Sequence, residues 1–181
     1  MMKTRFYIAL LFLLSVTLLT GCLFGGNNQK TNNAERTISS EDSLFSVTIP
    51  KGWTQVTNYS LHDEGDLQAQ RFLENKYFVA LIESKEDLDY TFDEWVETVL
   101  GIYLDNLDEA TVTDSKDIII DGQPAKQYEI NVIDSNVKVI VLATYINGEN
   151  NFAQILTWTL ASKYESSLEE FHTITNSIKG L

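Results

Sequence analysis

The sequence contains few of the residues that usually carry covalent or metal chemistry: one cysteine and two histidines in 181 residues. A single cysteine excludes a disulfide within the chain, so a folded domain must depend on packing alone. Two histidines, His62 and His172, are too few for a zinc site with recognisable histidine and cysteine spacing. We therefore assign no metal-binding residue and expect no cofactor.

Two catalytic motifs are also missing. There is no Gly-x-Ser-x-Gly elbow of the kind that presents a serine nucleophile. There is no glycine-rich phosphate loop followed by Lys-Ser or Lys-Thr, which argues against nucleotide hydrolysis of the P-loop kind. A Ser–His–Asp triad stays open, because its members need not be adjacent in sequence. No catalytic residue is assigned.

Basic residues are scarce as well. The chain has 13 lysines and arginines against 26 aspartates and glutamates, and its formal net charge is −13. Proteins that bind nucleic acid neutralise phosphates with lysine and arginine, so nucleic acid is excluded as an expected partner. The acidity favours solubility outside the cell, while a cationic partner or a metal ion stays open as the alternative.

The single cysteine follows an N-terminal apolar segment. Lys3 and Arg5 precede the 14 residues Phe6–Leu19, and the chain continues as Leu19-Thr20-Gly21-Cys22. This segment is shorter than the roughly 20 apolar residues that cross a bilayer. A short apolar segment that ends at small residues is typical of a signal peptide. The alternatives are an uncleaved membrane helix and an ordinary signal peptide cleaved nearby.

Leu19-Thr20-Gly21-Cys22 resembles the lipobox of bacterial lipoproteins. In that family a diacylglyceryl group alkylates the cysteine thiol, the preceding bond is cut, and the new N-terminus is usually acylated. The resemblance implies cleavage between Gly21 and Cys22, lipidation of Cys22, and anchorage on the extracytoplasmic side of the cell membrane. Residues 1–21 are thus predicted to be the signal peptide. Residues 22–43, polar and rich in Gly, Asn, Ser and Thr, are predicted to be the lipidated N-terminus and a flexible tether.

Residues 44–181 are predicted to form one domain with several strands. Phe45, Val47 and Ile49 alternate with polar residues, as in a half-buried strand. Residues 76–83 are apolar on both faces and indicate a central strand. Further alternating segments, joined by turn signals at Asp121-Gly122 and Asn147-Gly148, indicate an antiparallel meander.

Two helices accompany these strands. Thr91 and Glu94 match a capping box at the start of a helix over about 91–107, with Trp95 as a core anchor. Ser162 and Glu165 predict a second capping box at the start of the last helix. The fold class is therefore α+β: a mostly antiparallel sheet of five to seven strands with two main helices packed on it.

Three segments resemble the PsbP-like (Mog1/PsbP) family. They are Phe45–Trp53, which ends in Pro-x-Gly-Trp, Ile118–Ala125 with the strand after it, and Ile174–Ile178, with isoleucine where the family has phenylalanine. The resemblance covers residues 44–181 and implies an α/β/α sandwich. Its members include photosystem assembly or stabilising proteins, a small-GTPase-binding protein and many lipoproteins. The matching positions are core positions, so no binding residue is carried over.

Residues 54–75 are the longest segment without clear periodicity, and long loops often carry function. A groove near them is the candidate binding region, and His62 is predicted to lie in a solvated loop there. Four aromatic residues have no clear core position: Tyr59, Phe72, Tyr77 and Tyr90. An acidic cluster does not match an EF-hand and is expected to oppose a helix dipole: Glu83, Glu86, Asp87, Asp89, Asp93 and Glu94.

These observations indicate a membrane-anchored, non-enzymatic binding or accessory module at the outer face of the cytoplasmic membrane. Its expected partners are the membrane, through the diacylglyceryl anchor on Cys22, and a protein or small ligand held by the domain. The alternatives are a lipid-anchored envelope hydrolase and a metal-binding lipoprotein.

Overall fold

A computed structural model describes residues 34–86, 88–107 and 109–181. The predicted signal peptide, the Gly21–Cys22 cleavage site, the lipidation site at Cys22 and the tether up to residue 33 lie outside the described residues. Within the described ranges, no helix is long and apolar enough to span a membrane.

The described chain forms ten strands and two α-helices, which we number in chain order. The strands are β1 (Arg36–Ser39), β2 (Ser46–Ile49), β3 (Thr54–Gln55), β4 (Leu67–Arg71), β5 (Lys76–Ser84), β6 (Glu109–Val112), β7 (Lys116–Ile120), β8 (Gln123–Asp134), β9 (Val137–Asn147) and β10 (Asn151–Leu160). The helices are α1 (Phe92–Asp105), between β5 and β6, and α2 (Tyr164–Asn176), after β10.

Eight of these strands form one antiparallel sheet in the order β3-β4-β5-β10-β9-β8-β6, with β7 also paired to β8. The 12 residues of β8 are long enough for two edge partners: its first half pairs with β7 and its second half with β6. The α+β fold class is confirmed. The main sheet has more strands than the predicted five to seven, because β6 and β7 share one edge and because residues 54–75, which lack clear periodicity, contain β3 and β4.

The hairpins follow local turn chemistry. Asp121 and Gly122 both have positive φ, 50° and 81°, and join the paired residues Ile120 and Gln123. This is the backbone that a two-residue type I′ hairpin requires. The predicted hairpin at Asn147-Gly148 is also present between β9 and β10, although Asn147 pairs with Phe152 and the loop is therefore longer than two residues.

The structure differs from the predicted tether at its C-terminal end. Residues Arg36–Ser39 form β1, which pairs antiparallel with β2, and Ile38 is only 4% exposed. Ser40 then bonds the backbone of Phe45 and closes the β1–β2 hairpin. The expectation of a flexible chain up to residue 43 is wrong for residues 36–43, because β2 satisfies backbone groups that a polar composition seemed to leave to water.

The sheet is covered on both faces, as a sandwich requires. On one face α2 contributes Tyr164, Phe171 and Ile174 to a core that also contains Trp53 and the apolar side of β2. On the other face α1 contributes Trp95, Val96 and Tyr103 to a core shared mainly with β8, β9 and β10. Because β5 adds only the half-buried Leu81 to this second core, the β5 side of α1 is incompletely filled.

One of the two predicted capping boxes is present. The Thr91 hydroxyl accepts a hydrogen bond from the Glu94 backbone N–H at 3.3 Å, and the Glu94 carboxylate accepts one from the Thr91 N–H at 2.8 Å. The predicted box of Ser162 and Glu165 is wrong. Residues Ala161–Lys163 form a 3-10 turn, so α2 starts at Tyr164, one residue later than predicted, with Lys163 as its N-cap and no side-chain cap.

Candidate functional site

A pocket of about 280 Å³ lies between α1, the β5 side of the sheet and the loop that joins β3 to β4. Its lining residues come from four separate segments: His62, Glu64 and Asp66 from the loop, Leu81, Ile82 and Glu83 from β5, Trp95, Val99, Ile102 and Tyr103 from α1, and Gln154 and Leu156 from β10. It lies where α1 leaves β5 incompletely covered.

The helix forms one wall of the pocket. Trp95, Val99, Ile102 and Tyr103 follow the helical repeat and therefore share one face of α1. The Trp95 ring stacks on Phe152, with ring centroids 4.8 Å apart. Trp95 is 4% exposed, as expected of a core anchor, and its orientation is fixed.

The strands form the floor. Leu81 and Gln154 are directly paired across β5 and β10, and Leu156 follows two residues later on the same face. Gln154 is 7% exposed, so it presents a buried carboxamide at the floor of an otherwise apolar surface. At the end of β5, the Glu83 carboxylate accepts a hydrogen bond of 2.8 Å from the Trp95 indole N–H.

The β3–β4 loop forms the remaining wall, and Gln68 of β4 holds its shape. The Gln68 carbonyl oxygen accepts hydrogen bonds from the backbone N–H groups of Leu61 and His62, at 2.7 and 3.0 Å. Its amide nitrogen donates to the carbonyl oxygens of His62 and Gly65, at 2.9 and 3.1 Å. One side chain thus bonds four backbone groups, which gives the loop a defined conformation.

Asp66 attaches the same loop to the sheet. Its carboxylate accepts a hydrogen bond of 2.7 Å from the Ile82 N–H, and its own N–H donates to the Ala80 carbonyl at 2.9 Å. Partial burial raises the pKa of the Asp66 carboxyl above its ordinary value, while the bond from Ile82 opposes that shift.

The sequence predicted that His62 lies in a solvated loop, and this prediction is wrong. Gln68 folds the loop inward and leaves His62 only 9% exposed. Its Nδ1 accepts a hydrogen bond of 3.2 Å from the Glu64 N–H, which assigns the ring proton of the neutral imidazole to Nε2. Burial lowers the pKa of His62 below its ordinary value of 6.5, and the nearby carboxylates of Glu64 and Asp63 only partly oppose this shift.

The pocket is therefore acidic at its edge and mainly apolar inside. Glu64, Asp66 and Glu83 contribute carboxylates, and no lysine or arginine lines it. Within the described ranges, no group of three or more His, Cys, Asp and Glu side chains is placed to hold a metal ion. No serine, threonine or cysteine lines the pocket, and the hydroxyl in its lining belongs to Tyr103.

The predicted candidate region, residues 54–75, forms only one part of the pocket lining. Its loop supplies His62, Glu64 and Asp66, but the same segment also contains β3 and β4, which the sequence did not reveal. Nine of the 12 lining residues come from β5, α1 and β10. In the sequence, the signal for these nine residues was Glu83, a carboxylate at the end of an apolar strand. In the structure, Ile102 of α1 is 44% exposed.

The other candidate residues lie outside the pocket. Tyr59, Phe72 and Tyr90 are 50%, 52% and 43% exposed, and Tyr77 stacks on Trp158 with ring centroids 5.2 Å apart. His172 lies on α2, across the sheet from the pocket.

The predicted acidic cluster is not a single site. Glu83 lines the pocket, Glu94 belongs to the α1 capping box, and Asp93 forms an ion pair with Lys126 at 2.7 Å. Asp87 lies outside the described residues. The cluster therefore divides between the pocket wall and the start of α1.

The fold is shared with several solved structures. Cyanobacterial PsbP (CyanoP) from Synechocystis sp. PCC 6803 matches with a TM-score of 0.61 and 16% identity, over 86% of this chain and 97% of that one. LpqN of Mycobacterium tuberculosis, described as involved in cell envelope biogenesis, matches with a TM-score of 0.58 and 13% identity, over 80% and 89% of the two chains. A Bacteroides thetaiotaomicron protein matches with a TM-score of 0.57 and 9% identity, over 81% and 48%.

At these identities the likeness shows a common fold, and the expected PsbP-like sandwich is confirmed. No family model matches the sequence. No curated protein matches it.

Proposed function

We propose that this chain is a lipid-anchored, non-enzymatic binding module at the outer face of the cytoplasmic membrane, and that its ligand site is the pocket between α1 and β5. The observation that carries the proposal is the composition of the pocket: an apolar floor with a few polar groups from four chain segments, and no serine, threonine or cysteine in the lining. Such a concave, mainly apolar site is the usual form of a small-ligand pocket.

The sequence supports the anchor, and the fold supports an accessory role. Leu19-Thr20-Gly21-Cys22 has the form of a lipobox. LpqN, described as involved in cell envelope biogenesis, shares the fold, which supports by analogy a role in the cell envelope.

The position of β1 is consistent with a pocket that stays accessible when the protein is anchored. Ile38 of β1 packs in the core on the α2 face of the sheet, whereas the pocket opens on the α1 face. The 14 residues from Cys22 to Glu35 would span roughly 19–22 Å r.m.s. as a flexible chain, at about 5–6 Å times the square root of their number. The described chain enters the domain at β1, on the side away from the pocket.

The anchor is tested by Cys22→Ala, with Phe24→Ala as a matched control outside the tetrapeptide. We expect Cys22→Ala to lose incorporation of a labelled fatty acid, and to leave the membrane fraction or accumulate unprocessed, because it removes the thiol that is alkylated. Phe24→Ala should behave as the wild type. A Cys22→Ala protein that is still processed and still fractionates with membranes after a high-salt wash would contradict the anchor.

An envelope hydrolase is the second candidate, favoured by one observation: a buried imidazole and three carboxylates line the same pocket. It is tested by a turnover screen on esters, peptides and glycosides with the wild type and His62→Gln. We expect no turnover by either protein. Turnover by the wild type that His62→Gln abolishes would replace the binding module with an enzyme.

A further inference from the structure

The size of the pocket limits its ligand. Its volume of about 280 Å³ lies at the lower end of the roughly 300–1,000 Å³ that small-molecule sites occupy. Leu81, Val99 and Leu156 give it an apolar interior, and Ile102 leaves a large apolar side chain 44% exposed at its edge. A ligand with a compact apolar body would cover this surface.

The charge of the pocket restricts the ligand further. Glu64, Asp66 and Glu83 come from two segments of the lining, the β3–β4 loop and β5, and none of the ion pairs among the described residues involves them. His62 adds no positive charge, because its Nδ1 accepts the Glu64 N–H and the ring is neutral. Three carboxylates without a basic neighbour in the lining favour a cation and disfavour an anion.

The pocket offers hydrogen-bond acceptors to a ligand that carries donors. One carboxylate oxygen of Asp66 accepts from Ile82 N–H, and one of Glu83 accepts from the Trp95 indole N–H. Each carboxylate has a second oxygen that can accept from a ligand. Gln154, 7% exposed, adds a carboxamide at the floor, whose oxygen can accept a hydrogen bond. A protonated primary amine has three donors that match such acceptors.

We propose that the pocket binds a small organic cation, a primary amine that carries a compact apolar group. The apolar group lies on Leu81, Val99 and Leu156, and the ammonium lies at the acidic edge formed by Glu64, Asp66 and Glu83. This inference rests on the proposed function, since it names the ligand class of the same site.

The test uses three probes of similar size and different charge: benzylamine, benzyl alcohol and benzoate. They are titrated into the chain from residue 22 onward with Cys22→Ser, which holds every element that the structure describes. The indole N–H resonances report the location of binding, because Trp95 lines the pocket whereas Trp53 is 1% exposed in the core across the sheet. We expect benzylamine to shift the Trp95 signal at the lowest concentration, benzyl alcohol at a higher one and benzoate not at all.

Two double variants separate local charge from net charge. Glu64→Gln/Glu83→Gln removes two charges at the pocket and keeps an oxygen that can accept the Trp95 N–H. Glu165→Gln/Glu169→Gln removes two exposed charges from α2, across the sheet. We expect the Kd for benzylamine to rise about 3- to 10-fold in the first variant and to stay within twofold in the second. Neither should change the Kd for benzyl alcohol.

Val99→Phe fills the pocket and should abolish the Trp95 shift with every probe. Benzylamine binding no tighter than benzyl alcohol, or weakened equally by both double variants, would overturn the amine inference. If the amine inference fails but benzyl alcohol or benzoate still shifts the Trp95 signal, and Val99→Phe abolishes that shift, the pocket remains a ligand site and the proposed binding module stands. If none of the three probes shifts Trp95, both the amine inference and the assignment of the pocket as the ligand site fail.

Discussion

Glu170 of α2 connects the helix to the sheet through two cations, and its removal should destabilise the domain measurably. One carboxylate oxygen accepts from Arg71 of β4 at 2.7 Å, and the other accepts from Lys76 of β5 at 2.5 Å. The Lys76 side chain is only 9% exposed, and Glu170 is 24% exposed. Without Glu170, Lys76 would retain only Glu74, at 3.2 Å and 40% exposed.

The magnitude for Glu170→Gln follows from this partial burial. Removing one partner of a fully buried ion pair costs about 3–5 kcal/mol, because the other charge is left uncompensated. Exposed pairs contribute about 0.2–1 kcal/mol. Since Lys76 is buried but Glu74 stays beside it, we expect a loss of about 2 kcal/mol in the free energy of unfolding. For a domain of this size, that loss corresponds to a decrease of about 4–8 °C in Tm.

Urea unfolding of the chain from residue 22 onward, with Cys22→Ser, measures this change as a lower midpoint at constant m-value. Glu169→Gln is the matched control. Glu169 precedes Glu170 in α2, is exposed and forms no ion pair among the described residues, so we expect the free energy of unfolding to change by no more than about 0.5 kcal/mol.

Lys76→Met tests whether the cost arises from the uncompensated ammonium. In the Glu170→Gln background it should cost less than it does alone, because the charge that lost its partner is removed. The reasoning would be refuted if Glu170→Gln cost no more than Glu169→Gln, or if the effects of Lys76→Met and Glu170→Gln were additive.

Two further predictions use the same unfolding assay. Thr91→Ala removes the one side-chain cap of the observed capping box and should cost about 1 kcal/mol, whereas Ser162→Ala should cost less than about 0.5 kcal/mol, because Ser162 does not cap α2. Equal losses of stability in Thr91→Ala and Ser162→Ala would contradict the observation that Thr91 caps α1 and Ser162 does not cap α2. A second prediction concerns pH. Burial lowers the pKa of His62 in the folded state, so the unfolded chain binds a proton at this residue more readily than the folded chain does. The free energy of unfolding should therefore decrease as the pH falls through 6.5 toward the folded pKa. His62→Gln should remove this part of the pH dependence; identical pH profiles for wild type and variant would show that the burial of His62 does not matter.

The sequence predicted the strongly periodic elements and missed the short polar ones. β5 and β8 to β10 carry long apolar or alternating runs, and α1 begins at the predicted cap. In contrast, β4 has the sequence Leu67-Gln-Ala-Gln-Arg, in which glutamines occupy alternate positions. Its strand geometry is fixed by pairing with β5, a long-range interaction that no local pattern reports. The same reason explains β1, whose only apolar residue is Ile38.

The candidate site was less predictable than the fold. The sequence pointed to the loop before β4, because it lacked periodicity, but it placed His62 in solvent. Gln68 reverses that expectation, since its four hydrogen bonds to the loop backbone turn His62 inward. A glutamine in a polar segment carries no local sign of this role, because each of its partners is defined only by the folded loop.

Local sequence patterns were enough to predict the α+β class, the start of α1, the tight turn at Asp121-Gly122 and the acidic composition. Each of these depends on contiguous residues: a repeat of two or of 3.6, a cap, a turn pair or a count of charges. The anchor at Cys22 stays a prediction of the same local kind. The pocket, in contrast, forms from residues 62–66, 81–83, 95–103 and 154–156, which are distant in sequence and meet only in the folded domain. These segments are brought together by strand pairing and by the packing of α1 on one side of the sheet, which depend on the whole chain.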